Sequence, residues 1–284
     1  MSAIAEALPL PRSQPHRPRH ARVLFTLARR RALLTAGNPR QIAVPLVGPA
    51  LLALVVAPAL KKATGGLHST IDYTAFVDVA TVGLVVPLTC IFAGLSVIVD
   101  RSEGAQRELL AAPVPRRYLV LGNLLVAVVL AALQVVVLMG LSGLRGASFH
   151  ISAAGLAWFV VAAALFTVFM YGLAETLASR IHKAEEYIGA TPAVAILPFF
   201  LAGSLFPISV MPGALTGIAK VLPLTHAVAL LRYGFVDHRG QGLHDIWGMH
   251  SVTAEAWLSV AVLVLFAAAV TALSIRSFAR SAVK

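Results

Sequence analysis

The residues best placed for a specific interaction lie in one charged segment, RSEGAQRELLAAPVPRR (101–117), between two strongly apolar stretches. Asp100 and Glu103 have the spacing of a capping box, which starts a helix. Glu103 and Arg107 are four residues apart, in the order that favours a helical ion pair, and a proline ends the pattern. We therefore predict a helix over 102–112. Because it is too short to be stable alone in water, we expect it to dock into a groove on another protein; an ordinary solvated loop is the alternative.

The rest of the chain carries no known catalytic pattern. Neither the phosphate-binding glycine loops nor the zinc-protease and serine-nucleophile motifs occur in the sequence. Four histidines follow one another at intervals of twelve, six and six residues, which match no common metal-ligand pattern: His226, His238, His244 and His250. We therefore predict that the chain is not an enzyme and has no catalytic residue, metal or cofactor of its own.

The elements that position the charged segment are predicted to be membrane helices. The sequence is 58% hydrophobic and 12% charged, whereas soluble domains have about 25% charged residues. A spanning helix needs about 20 apolar residues, and the apolar stretches are too long for strands of a β-barrel. The predicted fold is therefore all-α, with residues 1–20 disordered, residues 21–284 as a single transmembrane domain, and six spans: 41–60, 78–99, 118–142, 151–175, 188–206 and 255–276.

The basic residues are distributed unequally between the two sides of this bundle. Of the 23 Lys and Arg residues, 17 fall before span one, in the loops after spans two and four, or in the C-terminal tail. The positive-inside rule then places both termini and the charged segment in the cytoplasm. Residues 21–38 alternate Leu and Arg with helical spacing, which predicts an amphipathic helix on the inner leaflet; a plain positive-inside anchor is the alternative.

Few polar residues fall inside the predicted spans. Asp78 and Glu175 lie near span ends, where we expect their carboxylates to snorkel towards water. Gln134 is expected to hydrogen-bond a neighbouring helix, and Cys90 to pack as a small apolar residue. A proton-coupled transporter would be expected to carry a buried acidic chain, and the sequence shows none.

The segment after span five is apolar but interrupted by prolines. Irregular backbone is not tolerated in contact with lipid, so residues 207–235 are predicted to fold back at the outer membrane surface as short amphipathic helices. The predicted architecture thus includes a broken, re-entrant-like outer segment between spans five and six.

The stretch DRSEGAQRELLAAPVPRRYLVLGN (100–123) resembles the signature of ABC-2 type exporter permeases. In that family, spans two and three are joined by R-x-x-G-x-x-x-x-L-L-x-x-P-x-x-R, followed by a glycine that enters span three. The matching residues are Arg101, Gly104, Leu109, Leu110, Pro113, Arg116 and Gly122. The sequence departs from the family at Ala105, where Thr is usual, and at Asn123, where a basic residue is common.

Two further motifs support the same resemblance. RRRALLTAGNPR (29–40) is similar to the amphipathic helix that precedes span one in these permeases, and FPISVMPGALTGIAKVLPLTHAVALLR (206–232) is similar to their outer segment after span five. Within the family, the chain resembles the daunorubicin-resistance-like permeases.

The resemblance implies a role for each motif. The helix between spans two and three would be a coupling helix that contacts an ATPase, through Arg101, Glu103, Gly104, Arg107, Glu108, Leu109, Leu110, Pro113 and Arg116. The interface helix would use Arg29, Arg30, Arg31, Asn38, Pro39 and Arg40. The outer gate segment would use Phe206, Pro207, Met211, Pro212, Pro223, Thr225 and Arg232.

The resemblance also implies partners and a function. Two permease copies, or this permease and a related one, would pair in the cell membrane, each bound to an ABC ATPase that holds ATP and Mg. The complex would export a hydrophobic or amphipathic drug, antibiotic or lipid-like molecule, and no nucleic acid is involved. A secondary transporter and a membrane-embedded lipid-modifying enzyme remain the alternatives.

Overall fold

The computed structural model describes residues 20–63, 72–111 and 115–281, and every regular element within these ranges is helical. Two π-helical turns, Leu52–Val56 and Pro192–Ile196, and one 3-10 turn, Ile208–Val210, interrupt the α-helices. The α-helices are α1 (His20–Ala36), α2 (Pro39–Leu51), α3 (Ala57–Ala63), α4 (Tyr73–Ala80), α5 (Val82–Ser102), α6 (Ala105–Ala111), α7 (Arg117–Leu144), α8 (Ala153–Arg180), α9 (Ala184–Gly189), α10 (Leu197–Leu201), α11 (Gly213–Val221), α12 (Pro223–Phe235), α13 (Gln241–Trp247) and α14 (Val252–Ser281).

Five helical stretches of the described residues are long and apolar enough to cross a membrane. The shortest has 24 residues, or about 36 Å at 1.5 Å per residue, which exceeds the roughly 30 Å hydrocarbon core of a bilayer. They fall on five of the six predicted spans: Pro39–Lys62, Tyr73–Ser102, Arg117–Leu144, Ala153–Arg180 and Val252–Ser277.

The stretch Tyr73–Ser102 is the centre of the bundle. In its most apolar window 72% of the residues are buried, against 22–33% in the other four stretches. Polar contacts and small residues hold its neighbours close. Gln134 of α7 donates to the carbonyl of Ile42 in α2 (2.9 Å) and also contacts the hydroxyl of Thr89 in α5, as predicted for this glutamine. Cys90 is fully buried and packs among apolar side chains, as expected.

The region of the fifth predicted span is less regular. Helix α9, the π-turn Pro192–Ile196 and α10 follow one another from residue 184 to 201, with a turn at Ala190. Two prolines in this stretch lack the N–H that a helical hydrogen bond needs, which accounts for the irregular turns. The helical part ends at Leu201, five residues before the predicted boundary. The region from 184 to 201 is therefore not one of the five stretches that are long enough to cross a membrane. The described residues contain a sixth candidate span only if the bent pair α11 and α12 is counted as one span.

Helices α11 and α12 meet at Leu222 with an angle of 82°. The segment forms short helices, as predicted, but α12 is not an exposed amphipathic helix, because 11 of its 13 residues are buried. Its position at the outer membrane surface stays a prediction. Pro223 starts α12 because its missing N–H is not needed in a first turn. The helix then packs between α8, α14 and α4, where Phe235 stacks on Phe159 with ring centroids 4.0 Å apart.

The bundle has two ends, which we call the α1 end and the α12 end after a helix that lies at each. At the α1 end lie α1, the turn between α5 and α6, and the turn between α8 and α9. At the α12 end lie the beginnings of α4, α8 and α14, together with α11, α12 and α13. Helices α5, α8 and α14 run parallel from the α12 end to the α1 end, with Cys90 beside Thr167 and Gly172 against Val270.

Candidate functional site

The charged segment at the α1 end is divided by a sharp turn at Gly104. This glycine has φ +82°, a left-handed conformation that favours glycine over other residues. Helix α5 therefore ends at Ser102, and α6 begins at Ala105. The predicted helix over 102–112 is wrong at its start, because Gly104 acts as the glycine that commonly ends a helix. That signal is present in the sequence, since a glycine follows a basic last turn.

Asp100 lies inside α5, so the predicted capping box is also wrong. Its carboxylate instead accepts a hydrogen bond from the Arg31 guanidinium of α1 at 2.5 Å. Arg31 also donates to the hydroxyl of Ser96 (2.9 Å) and to the side-chain oxygen of Asn123 (3.0 Å). A single buried arginine thus joins α1 to α5 and α7.

Arg101 joins the charged segment to the end of α8. Its guanidinium donates to the carbonyls of Ala178 (2.9 Å) and Ile181 (3.4 Å), and its Nε donates to the side chain of Gln106 (3.2 Å). The last carbonyls of a helix have no intrahelical partner, and a cation is favourable there because of the helix dipole. Arg101 therefore caps α8 and at the same time holds α6.

A buried acid lies one turn before this cap. Glu175 has no exposed surface, and its Oε2 accepts a hydrogen bond from the Tyr171 hydroxyl at 2.9 Å. Asp78, in α4, is 1% exposed. The prediction that Asp78 and Glu175 snorkel to water is therefore wrong: both lie on helix faces that pack against neighbouring helices, so proximity to a helix end does not expose them.

The other predicted ATPase-contact residues have different surroundings. Glu103 and Glu108 are exposed at the α1 end, Gly104 and Arg116 are half-buried, and Leu109 packs its side chain against the core of the bundle. Pro113 and the side chains of Arg107 and Leu110 lie outside the described residues. Glu103 precedes the Gly104 turn, so the predicted Glu103–Arg107 pair does not lie on one helix.

The predicted interface helix is α1, His20–Ala36. Arg29 is exposed, Arg30 lies 3.9 Å from the Asp100 carboxylate, and Arg31 is 7% exposed. Asn38 precedes α2 without capping it through its side chain, and Pro39 and Arg40 are the first residues of α2. Three large apolar side chains of α1 are exposed: Phe25, Leu33 and Leu34. The location of this helix on the inner leaflet stays a prediction.

Arg232 organises the α12 end of the bundle. It is 5% exposed, and its guanidinium donates to the carbonyls of Phe76 (3.1 Å), Gly203 (2.9 Å) and Ser204 (2.7 Å). The guanidinium also lies 3.3 Å from the centroid of the Phe76 ring, a favourable cation–π geometry. Arg232 thus holds the turn after α10 against α4 and α12.

The remaining predicted gate residues lie either in α12 or in the turn before α11. Thr225 is buried in α12, and Pro223 is the first residue of that helix. The residues before α11 line the outside of the turn and are exposed or half-buried: Phe206, Pro207, Met211 and Pro212.

Asp72 connects three segments at the α12 end. Its carboxylate accepts hydrogen bonds from Lys61 (2.7 Å), from the N–H of Thr74 (3.1 Å) and from the N–H of Ser148 (3.2 Å). Burial raises the pKa of Asp72, but the hydrogen bonds from Lys61, Ser148 and Thr74 and the charge of Lys61 together lower it below its usual value. The carboxylate therefore stabilises the loop connections in its charged form.

The long apolar helices of this bundle define a multi-pass membrane protein. The sequence matches the ABC-2 type transporter family over residues 22–236, which is most of the chain and includes all three motifs. The chain therefore belongs to the ABC-2 type transporter family and is a permease subunit of an ABC transporter, a class of subunit that generally works with an ABC ATPase partner. None of the curated proteins compared with the chain matches it.

Proposed function

We propose that the chain is the permease of an ATP-driven exporter in the cell membrane, with the α1 end and both termini in the cytoplasm. The observation that carries the proposal is the turn at Gly104, which presents the exposed Glu103 and Glu108 at the α1 end while Arg101 ties the same segment to α8. The excess of Lys and Arg in the segments of this end supports the orientation.

In this proposal an ATPase chain, which binds ATP and Mg, receives residues 103–111 in a surface groove. Two permeases, identical or related, each bind one ATPase. The acidic side chains supply polar contacts to the groove. Because Leu109 already packs on the bundle, it fixes the segment to the permease rather than entering the groove.

The helix contacts give a route from the ATPase to the opposite end. Movement of residues 103–111 is passed by Arg101 to the last turn of α8. At its other end α8 touches α12, where Gly155 and Gly234 bring the two backbones into direct contact. A rigid shift of α8 therefore displaces α12, and the gate segment with it. Buried helices transmit such shifts because close-packed interiors deform little.

A hydrophobic or amphipathic substrate fits this proposal best, because apolar side chains dominate the helices. The daunorubicin-resistance-like permeases are the proposed subgroup, on the basis of the residues matched in the three motifs. Efflux of an antibiotic or a lipid-like molecule is the corresponding cellular role.

Co-expression and co-purification of this chain with an ABC ATPase from the same genome tests the proposal. We expect Glu103→Arg/Glu108→Arg to reduce the retained ATPase by at least about tenfold, the effect of losing roughly 1.4 kcal/mol of binding. Glu185→Arg is the matched control, because Glu185 is an exposed acid at the same end but on α9. Full retention of the ATPase by the double variant would contradict the proposed docking surface.

A further inference from the structure

A cavity of about 620 Å³ lies at the α12 end, away from the charged segment. Its walls come from α4, the turn around Gly203, α12, and the region from Asp237 to Val252. This volume is in the range of small-molecule binding sites, which are concave, largely apolar and contain a few polar groups. The proposed docking and gating roles do not require such a space.

Two buried charged residues of opposite sign line the cavity. Arg232 is 5% exposed and Asp237 is 6% exposed. Within the described ranges they form no ion pair with each other or with another residue. Buried charges are costly unless they are paired or well hydrogen-bonded. The charges of Arg232 and Asp237 interact with each other at longer range, but neither group is in direct contact with an opposite charge. Two charges of opposite sign without a contact partner beside one cavity indicate a ligand that pairs with both.

The guanidinium of Arg232 and the carboxylate of Asp237 can each form further hydrogen bonds. A guanidinium has five N–H donors, and three N–H groups of Arg232 are engaged by the carbonyls of Phe76, Gly203 and Ser204. From the described residues, the Asp237 carboxylate accepts a single long hydrogen bond, from the N–H of Gly242 at 3.4 Å. Arg232 thus has donors left for an anionic group, and Asp237 has acceptors left for a cationic one.

The remaining lining residues narrow the ligand class. Arg239 and Asp245 add one further charge of each sign, so that the charges of the lining Asp and Arg residues cancel. A ligand with only one charged group would leave either Arg232 or Asp237, the two buried members of this set, without a partner. The apolar part of the wall suits a short hydrocarbon group and consists of Phe76, Ala202, Ile208, Val228, Ala229, Met249 and Val252.

We propose that this cavity binds a small zwitterion with an apolar side group, its anionic group at Arg232 and its cationic group at Asp237. A free zwitterion, such as a short peptide, and the headgroup of a zwitterionic lipid share this chemistry. In the proposed orientation the site opens to the outside of the cell; that clause alone rests on the proposed function.

Isothermal titration calorimetry tests the site on the full chain in nanodiscs of phosphatidylglycerol, which contain no zwitterionic lipid. The probes are the dipeptide leucyl-leucine, its N-acetyl derivative, its methyl ester, and dihexanoyl phosphatidylethanolamine below its micellar concentration. We expect leucyl-leucine or the lipid to bind, and the N-acetyl and ester forms to bind at least about tenfold more weakly, since each lacks one charge-assisted hydrogen bond. Binding of the dipeptide alone identifies a free zwitterion as the ligand, and binding of the lipid alone identifies a headgroup.

Two variants locate the bound probe. Asp237→Asn is expected to weaken binding of the zwitterion by about tenfold and to leave the affinity for the N-acetyl form unchanged. Ala229→Leu, which fills the cavity and keeps both charged residues, is expected to abolish binding of every probe. Lys220→Gln is the control, because Lys220 is exposed at the same end and does not line the cavity.

The proposal is overturned if no probe binds, if the N-acetyl derivative binds as tightly as the free dipeptide, or if Ala229→Leu leaves the affinity unchanged. The comparison of probes on the unaltered chain decides the charge requirement even if a variant fails to fold. Binding is measured without the ATPase or transport, so failure here leaves the proposed export function standing.

Discussion

Arginines hold this membrane protein together at positions where its helices end. Arg31, Arg101 and Arg232 each bond to groups more than 25 residues away in sequence. Arg101 and Arg232 use the planar guanidinium to satisfy several backbone carbonyls at once, which a lysine ammonium does less well. The sequence shows these arginines between apolar stretches, where they resemble solvent-exposed topology signals. Their partners are distant in the sequence, so the pairing was not predictable without the fold.

Replacing Arg101 tests whether this residue passes movement from α6 to α8 or only stabilises the fold. We expect Arg101→Gln to keep ATPase binding and ATP hydrolysis but to lower transport per ATP by about tenfold or more, because α8 loses its link to α6. Arg101→Lys retains the charge at the helix end and is expected to recover part of the transport. The measurement is the ratio of transported substrate to ATP hydrolysed in proteoliposomes. An unchanged ratio in Arg101→Gln would show that Arg101 does not transmit movement.

Glycines allow several helices of this fold to approach one another closely. Gly155 of α8 and Gly234 of α12 touch through their backbones, and Gly94 leaves room for the Tyr187 hydroxyl. Small residues at helix interfaces allow close approach, which is the main source of helix association in a bilayer. Periodicity and hydropathy predicted where the long helices lie, and Gln134 was correctly predicted to bond across helices. They did not predict that α12 is buried, since Pro223 and the polar residues of this helix resemble those of a surface loop.

Two glycine substitutions, expected to change the thermal stability in opposite directions, test the α8–α12 contact. Gly155→Ala places a methyl group into the Gly234 carbonyl, and overpacking of this kind costs about 1–3 kcal/mol. Gly140→Ala lies in α7 with no neighbouring atom within 4 Å, and removing a helical glycine stabilises by about 0.5–1 kcal/mol. Thermal unfolding in detergent is expected to shift downwards for the first variant and not for the second. Equal shifts would show that the contact is loose.

At the scale of the whole molecule, the buried charged groups are gathered at the two ends. The α1 end holds Arg31, Asp100, Arg101 and Glu175, and the α12 end holds Arg232 with its cavity. The sequence placed the charged segment and the gate segment at opposite ends, in agreement with the structure. It did not reveal that Glu175 is buried, and a buried acid is a feature that ion-coupled transport would use.

Energy coupling distinguishes the exporter from that alternative. In proteoliposomes with a fixed ATP concentration, we expect collapse of the proton gradient to leave transport unchanged. We expect Glu175→Gln to retain at least half of the transport, because the amide fills the same space. Loss of transport on collapse of the gradient, and again in Glu175→Gln with ATP present, would instead favour a proton-coupled mechanism.

The central position of α4 and α5 has a consequence for biosynthesis. This stretch enters the bilayer before α8 and α12, which later cover part of its surface. The side of α4 and α5 that α8 and α12 cover therefore faces lipid, or remains within the insertion machinery, until those helices have been made. Burial of α4 and α5 is therefore completed only after the second half of the chain has been inserted. A chain truncated before α12 is expected to be degraded, although every span that it contains is apolar enough to insert.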